Sequence, residues 1–204
     1  MAAVSATDVK ALRDRTGAAM MDCKAALQQA EGDPEKAVEI LRVKGQASAA
    51  NRSGRETAEG VVEAYIHANG RVGALVEVRC ETDFVARTDD FREFAREVAI
   101  HVAGTNPPPR YVSAEEIPES ERESERRVFE GKAKEEGKPE DVIERIVEGQ
   151  LAKWAKDVVL LEQEHIRGDR YEGKTIEQIR AELAANTGEN VQIARFAVFR
   201  VGEE

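Results

Sequence analysis

One change of hydrophobic period limits the fold more than any other feature of this sequence. From residue 72 to residue 80 the apolar side chains alternate, at Val72, Ala74, Val76, Val78 and Cys80. That is the period of a strand with one buried face. Val61-Val62-Glu63-Ala64-Tyr65-Ile66 precedes it as a second strand candidate. Between them lies Asn69-Gly70, a pair suited to a two-residue hairpin turn in which both residues take positive φ. Residues 191–201 are apolar at both parities, which predicts a strand buried on both faces. Helical patterns fill the space between the hairpin and this last strand. The simplest arrangement pairs all three strands in one sheet, so the predicted class is α+β, a small antiparallel sheet packed with helices.

The first segment reads as a small three-helix module. Ser5 followed by Asp8 forms a capping box ahead of Val9 and Leu12, and Thr16-Gly17 ends that helix. A second helix begins near Met20-Met21-Asp22 and turns Ala26 and Leu27 inward. Asp33-Pro34 starts a third, with the aspartate as cap and the proline at the first helical position; Gly45 is expected to close it. The stretch that follows has no apolar stripe. The predicted organisation is therefore a module over 1–46, a linker over 47–59 and an α+β core over 60–204. Within the core, Phe91, Phe94, Ala95, Val98 and Val102 mark a helix that stops before Pro107-Pro108-Pro109. Ser113 and Glu116 form another expected capping box, before a very charged segment. Ile143, Val147, Leu151, Trp154, Val158 and Leu161 mark a long helix begun by Pro139.

Charge and composition exclude several classes of function. Thirty basic and 40 acidic residues leave a net charge of −10, a field that repels phosphates and anionic lipid heads. Direct nucleic-acid binding and membrane docking are not expected. Residues 1–5 lack the charged and apolar regions of a signal peptide, and no apolar run approaches the roughly 18 residues of a membrane span. Cys23 and Cys80 show no CxxC spacing. A cytoplasmic chain with free thiols is the simple expectation.

Few residues point to catalysis. Gly168-Asp169-Arg170-Tyr171-Glu172-Gly173-Lys174-Thr175 fits the phosphate-binding loop pattern at every position. Its context fails: such a loop follows a buried parallel strand, whereas this one follows a helix and carries two acids where an anion would sit. Glu162 and His165 make one helical metal-type pair with no second pair to complete it, and read as a solvated helix end. No cofactor, metal site or enzymatic centre is expected. Two exposed-element candidates remain. Met20-Met21 either plug the core of the small module or form an adaptable contact surface. Thr82-Asp83-Phe84-Val85 follows a strand end, and its phenylalanine either folds over the core, as composition favours, or is presented as an apolar wedge beside a carboxylate.

Three blocks in order along nearly the whole chain resemble bacterial elongation factor Ts. They are Leu12-Arg13-Asp14-Arg15-Thr16-Gly17-Ala18-Ala19-Met20-Met21-Asp22-Cys23-Lys24-Ala25-Ala26-Leu27, then Cys80-Glu81-Thr82-Asp83-Phe84-Val85-Ala86, then Ile146-Val147-Glu148-Gly149-Gln150-Leu151-Ala152-Lys153-Trp154 with Leu160-Leu161-Glu162-Gln163. The resemblance implies a guanine-nucleotide exchange factor for GDP-bound elongation factor Tu. It implies that the N-terminal module, similar to ubiquitin-associated domains, grips the partner's nucleotide-binding domain through Arg13, Met20 and Met21. It implies that Asp83 and Phe84, within 82–85, intrude near the partner's magnesium site. Ala19 stands where the family usually has glycine, and Glu164-His165 where a proline and an aromatic are common. The chain also looks like the family's short form, for which a homodimer completing the core is the implied assembly.

Overall fold

In the computed structural model, which describes residues 4–203, the class is α+β: helices and a three-stranded antiparallel sheet of order β1-β2-β3. The elements run α1 Ala6–Thr16, α2 Met20–Gln29, α3 Pro34–Arg52, β1 Glu59–Ile66, β2 Val72–Cys80, α4 Asp83–Ala86, α5 Asp89–Gly104, α6 Glu119–Glu135, α7 Glu140–Val158, α8 Gly168–Tyr171, α9 Ile176–Thr187 and β3 Gln192–Arg200. The chain divides into two compact units. One takes the N-terminal segment through Val62 with Glu77–Ala95 and Gln178–Gln192; the other takes Glu63–Val76, Arg96–Glu177 and the segment from Ile193.

In the first unit, local chemistry starts and stops the helices where the sequence predicts. The Ser5 hydroxyl accepts from the Asp8 amide at 3.1 Å while the Asp8 carboxylate accepts from the Ser5 amide at 3.2 Å. Gly17, at φ 70°, ends α1 and donates to the Arg13 carbonyl at 2.8 Å. Asp33 caps α3 through the amides of Glu35 and Lys36, at 2.9 and 3.2 Å. These helices close over Val9, Leu12, Cys23, Ala26, Leu27, Ala30, Ala37 and Leu41.

Helix α3 does not end at Gly45. It continues to Arg52, so the first six residues of the expected 47–59 linker are helical. A glycine inside a helix costs about 1 kcal/mol relative to alanine. Here it also allows close approach, since a Cβ on Gly45 would lie 3.3 Å from that of Ala185 on α9. Ala47, Ala49 and Ala50 then favour helix, and Ala49 is buried. Beyond the helix the chain is tied down: the Asn190 side-chain nitrogen Nδ2 donates to the carbonyls of Ser53, at 3.2 Å, and Arg55, at 2.9 Å.

The hairpin forms with a longer loop than Asn69-Gly70 alone predicts. His67 N donates to Val72 O at 2.8 Å, which leaves four residues in the connection. Gly70 donates back to His67 O at 2.8 Å and takes φ 67°, whereas Asn69 is not among the positive-φ residues. Asn69 acts instead through its side chain, whose oxygen accepts from the Arg71 amide at 3.0 Å. Strand β2 buries Ala74, Val76, Val78 and Cys80 as its alternation requires. Strand β3 departs from expectation. After the buried Ile193 it alternates between half-buried and exposed positions rather than burying both faces, and Phe199 and Val201 lie open to solvent.

In the second unit, α6 and α7 pack against each other over Ala133, Ile143, Val147 and Leu151, flanked by Phe129, Ile146 and Trp154. The charged segment is thus a helix with one apolar stripe. Ser113 does not cap a helix side chain to backbone. A single 3-10 turn follows it, and the Glu116 carboxylate accepts from the Val112 amide at 2.9 Å.

Candidate functional site

The candidate partner-contact residues Arg13, Met20, Met21 and 82–85 all fall in the first unit. Arg13 is exposed on the last turns of α1. Met20 and Met21 open α2, 46% and 72% exposed, so neither plugs the core of the module. Cys23, Ala26 and Leu27 do that instead. The loop before Met20 is held by the Cys23 thiol, which donates to Ala18 O at 3.5 Å, and by Asn186 of α9, which donates to Thr16 O at 3.3 Å. Gly17 sits so near Asn186 that an added Cβ would lie 2.6 Å from its amide nitrogen.

The 82–85 segment is the start of α4, a single helical turn. Thr82 is its N-cap, and the threonine hydroxyl accepts from the Val85 amide at 3.4 Å. Asp83 is half-buried and pairs with Arg87 at 2.9 Å. Phe84 is 81% exposed. Val85 is half-buried, and only Ala86 of this turn is fully inside. One helical turn has too few hydrogen bonds to repay its nucleation, so isolated it would not persist. Apolar packing of Phe84 does not hold it either.

Polar groups hold it. The Glu189 carboxylate accepts from the amides of Glu81 and Thr82, both at 3.0 Å, and from the Thr82 hydroxyl at 2.6 Å. In return the Glu81 carboxylate accepts from the Asn190 amide at 2.6 Å and from Arg55 at 3.3 Å. The Cys80 thiol donates to Thr82 O at 3.2 Å. Burial, with Glu189 nearby, pushes that thiol's pKa up to about 11, and the cysteine is free. No local sequence pattern marks Asn186 or Glu189, and both sit more than 100 residues from what they hold.

The phosphate-loop match at 168–175 has no cradle. The amides of Arg170 and Tyr171 donate to Arg167 O, Glu172 to Gly168 O and Lys174 to Tyr171 O, at 2.9 to 3.1 Å, so none of these points at a ligand. The segment is a closed loop, with Glu164 and Thr175 in an antiparallel bridge. His165, expected at a solvated helix end, is buried. Its Nε2 lies 3.1 Å from Glu97 O, and its ring packs against Tyr171 at 4.4 Å between centroids, tilted by 54°. The buried Glu97 carboxylate accepts from Arg167 at 2.6 Å and Arg170 at 2.8 Å. His101 is also buried, bonded to Gln163 at 2.9 Å, and burial pushes its pKa down to about 4. Together these groups form a buried, hydrogen-bonded polar cluster. Among the described residues no group of three or more His, Cys, Asp or Glu is placed to hold a metal.

The family profile described as Elongation factor TS matches residues 35–203. The chain belongs to the elongation factor Ts family. An elongation factor Ts from Thermoanaerobacter sp. (strain X514) is 51% identical over 200 residues, covering 98% of this chain and 96% of that relative. One from Caldanaerobacter subterraneus subsp. tengcongensis is 52% identical over 200 residues, with 98% of each covered. One from Solidesulfovibrio magneticus is 50% identical over 204 residues, with both chains fully covered. Among the described residues, no helix of this family member is long and apolar enough to cross a membrane.

Proposed function

We propose that this chain is a guanine-nucleotide exchange factor that binds GDP-bound elongation factor Tu and speeds GDP release by disturbing the partner's magnesium and phosphate site. Membership of the elongation factor Ts family supports the general role. The observation that carries the mechanism is the exposed Phe84 ring, next to the Asp83 carboxylate, on a turn anchored by hydrogen bonds rather than by its own packing. Single exposed apolar residues are common on protein surfaces, but among the described residues Phe84 is the most exposed of the large apolar side chains. Arg13, Met20 and Met21 supply a second exposed patch, at the module over 1–46, while 60–204 supplies the core that presents the turn.

Two patches suit the energetics. Each tenfold gain in release rate needs about 1.4 kcal/mol of preferential binding to the transition state. A 10⁴-fold acceleration therefore needs roughly 5.5 kcal/mol, more than one side chain ordinarily supplies. In this reading the module contributes affinity and 82–85 contributes destabilisation. Magnesium bridges a bound diphosphate to its protein, so displacing it weakens the electrostatic hold on GDP. The chain itself makes and breaks no bond. The test is release of fluorescent GDP from elongation factor Tu on adding the chain; an unchanged release rate overturns the proposal.

A homodimer is part of the same proposal. Ile66, Leu75, Phe199 and Val201 are all exposed and border one groove on the sheet, where Ile66 lies over Gly73. An antiparallel sheet ordinarily leaves a polar second face, and two such apolar faces can stack about 10 Å apart. Sedimentation showing a monomer at micromolar concentration would remove the dimer and leave the exchange role standing.

A further inference from the structure

We infer that Glu189 is the positioning residue of the exchange turn: its carboxylate fixes where Thr82 points and thereby holds Asp83 and Phe84 ready for the partner. The functional half of this inference rests on the exchange role proposed above.

The geometry assigns Glu189 three donors and divides them between its two oxygens. Oε2 accepts from the amides of Glu81 and Thr82, and Oε1 accepts from the Thr82 hydroxyl. The hydroxyl has one proton. Committing it to Glu189 leaves only lone pairs to face the Val85 amide, which is the bond that caps α4. Glu189 thus sets the polarity of the cap and not merely its position. The cap matters because the turn is short: α4 is four residues long, Phe84 is exposed, and only Ala86 is buried, with the backbone bonds of a single turn and the Cys80 thiol as its other ties. The Asp83–Arg87 pair is a solvent-exposed contact of small net value.

Glu189 is delivered to this place by the end of α9. Gly188 takes φ 75° and donates to Ala184 O at 3.1 Å, a left-handed helix stop that a residue with a Cβ adopts only with strain. The reversal aims residue 189 at the end of β2. The Glu81 carboxylate in turn accepts from the Asn190 amide, so the two segments are bonded reciprocally. Only an acceptor at both oxygens satisfies this arrangement. In a glutamine one oxygen becomes an NH₂, which would meet an N–H or O–H donor with a donor of its own.

The test uses the full chain with Glu189→Gln, Phe84→Ala and the double variant. Amide hydrogen exchange in the free chain reads the anchoring alone. Val85 and Ala86 amides are expected to exchange at least about tenfold faster in Glu189→Gln, with α1, α2 and α9 as protected as in the wild type. Wild-type protection at Val85 and Ala86 overturns the inference whatever happens to activity. GDP release from elongation factor Tu reads the functional half. Glu189→Gln is expected to slow it roughly tenfold, and the double variant to be no slower than Phe84→Ala alone, because Glu189 acts through the ring. A double variant slowed by the product of the two single effects would mean a general structural role and overturns the positioning claim. Should Phe84→Ala release GDP at wild-type speed, the wedge role of Phe84 fails, while the amide data still decide whether Glu189 anchors the turn.

Discussion

Replacing Phe84 with alanine separates what the ring does for the free chain from what it does for the partner. Full burial of a phenylalanine side chain is worth roughly 2–3 kcal/mol. In the free chain 81% of Phe84 is open to solvent, so only about a fifth of that value is at stake. The variant should therefore unfold in urea within about 0.5 kcal/mol of the wild type. If the ring is buried in the partner as GDP leaves, truncation removes the remaining ~2 kcal/mol from the transition state, a roughly thirtyfold slower release. The module over 1–46 is untouched, so the concentration giving half-maximal effect should change much less than the maximal rate. Stopped-flow release of fluorescent GDP at several chain concentrations measures both. A variant with full maximal rate and weakened affinity would show the ring to be an ordinary docking contact, and the wedge reasoning would be wrong.

Three further outcomes follow from the buried groups. Leu27→Ala opens the core of the N-terminal module and is expected to cost about 3 kcal/mol, enough to weaken partner binding in a pull-down while the far-UV signal of the remaining helices persists. Glu97→Ala leaves Arg167 and Arg170 without their shared carboxylate; both arginines are partly exposed, so a loss of about 2 kcal/mol in urea unfolding is expected, not the larger penalty of a fully buried pair. His101 is neutral when folded because burial lowers its pKa from 6.5 to about 4. Its contribution is present in full above pH 6.5 and is lost as pH falls from 6.5 towards 4, because the unfolded chain takes up the proton first. The loss amounts to about 3 kcal/mol, and His165, also lowered mainly by burial, adds in the same direction. Urea titrations at pH 7 and pH 4.5 should show this slope in the wild type and a smaller one in His101→Gln.

Local chemistry was legible and tertiary chemistry was not. Ser5 with Asp8, Asp33 with Pro34, and Thr16-Gly17 act within one helical turn, so their residues alone place the helix ends. Gly45 carries the same breaker signal but is helical, and its missing Cβ makes room for Ala185, 140 residues away. The apolar pattern of residues 191–201 was real, yet it could not say whether the second face is covered by this chain. Phe199 and Val201 remain exposed. Phe84 shows the same limit in reverse. Composition favours burying a phenylalanine, and only the resemblance to elongation factor Ts gave a reason to expect it outside. Glu189 left no trace in the sequence, since a glutamate after a helix-ending glycine is unremarkable until the strand end it holds is known.

The most direct test of the exchange mechanism is the rate of GDP release from elongation factor Tu, with and without saturating chain, in millimolar magnesium and again in excess chelator. The chain should accelerate release strongly in magnesium, and the acceleration should shrink sharply once the metal has been stripped, because the chelator has then already done the part assigned to Asp83 and Phe84. An acceleration of the same size in both conditions would contradict that mechanism.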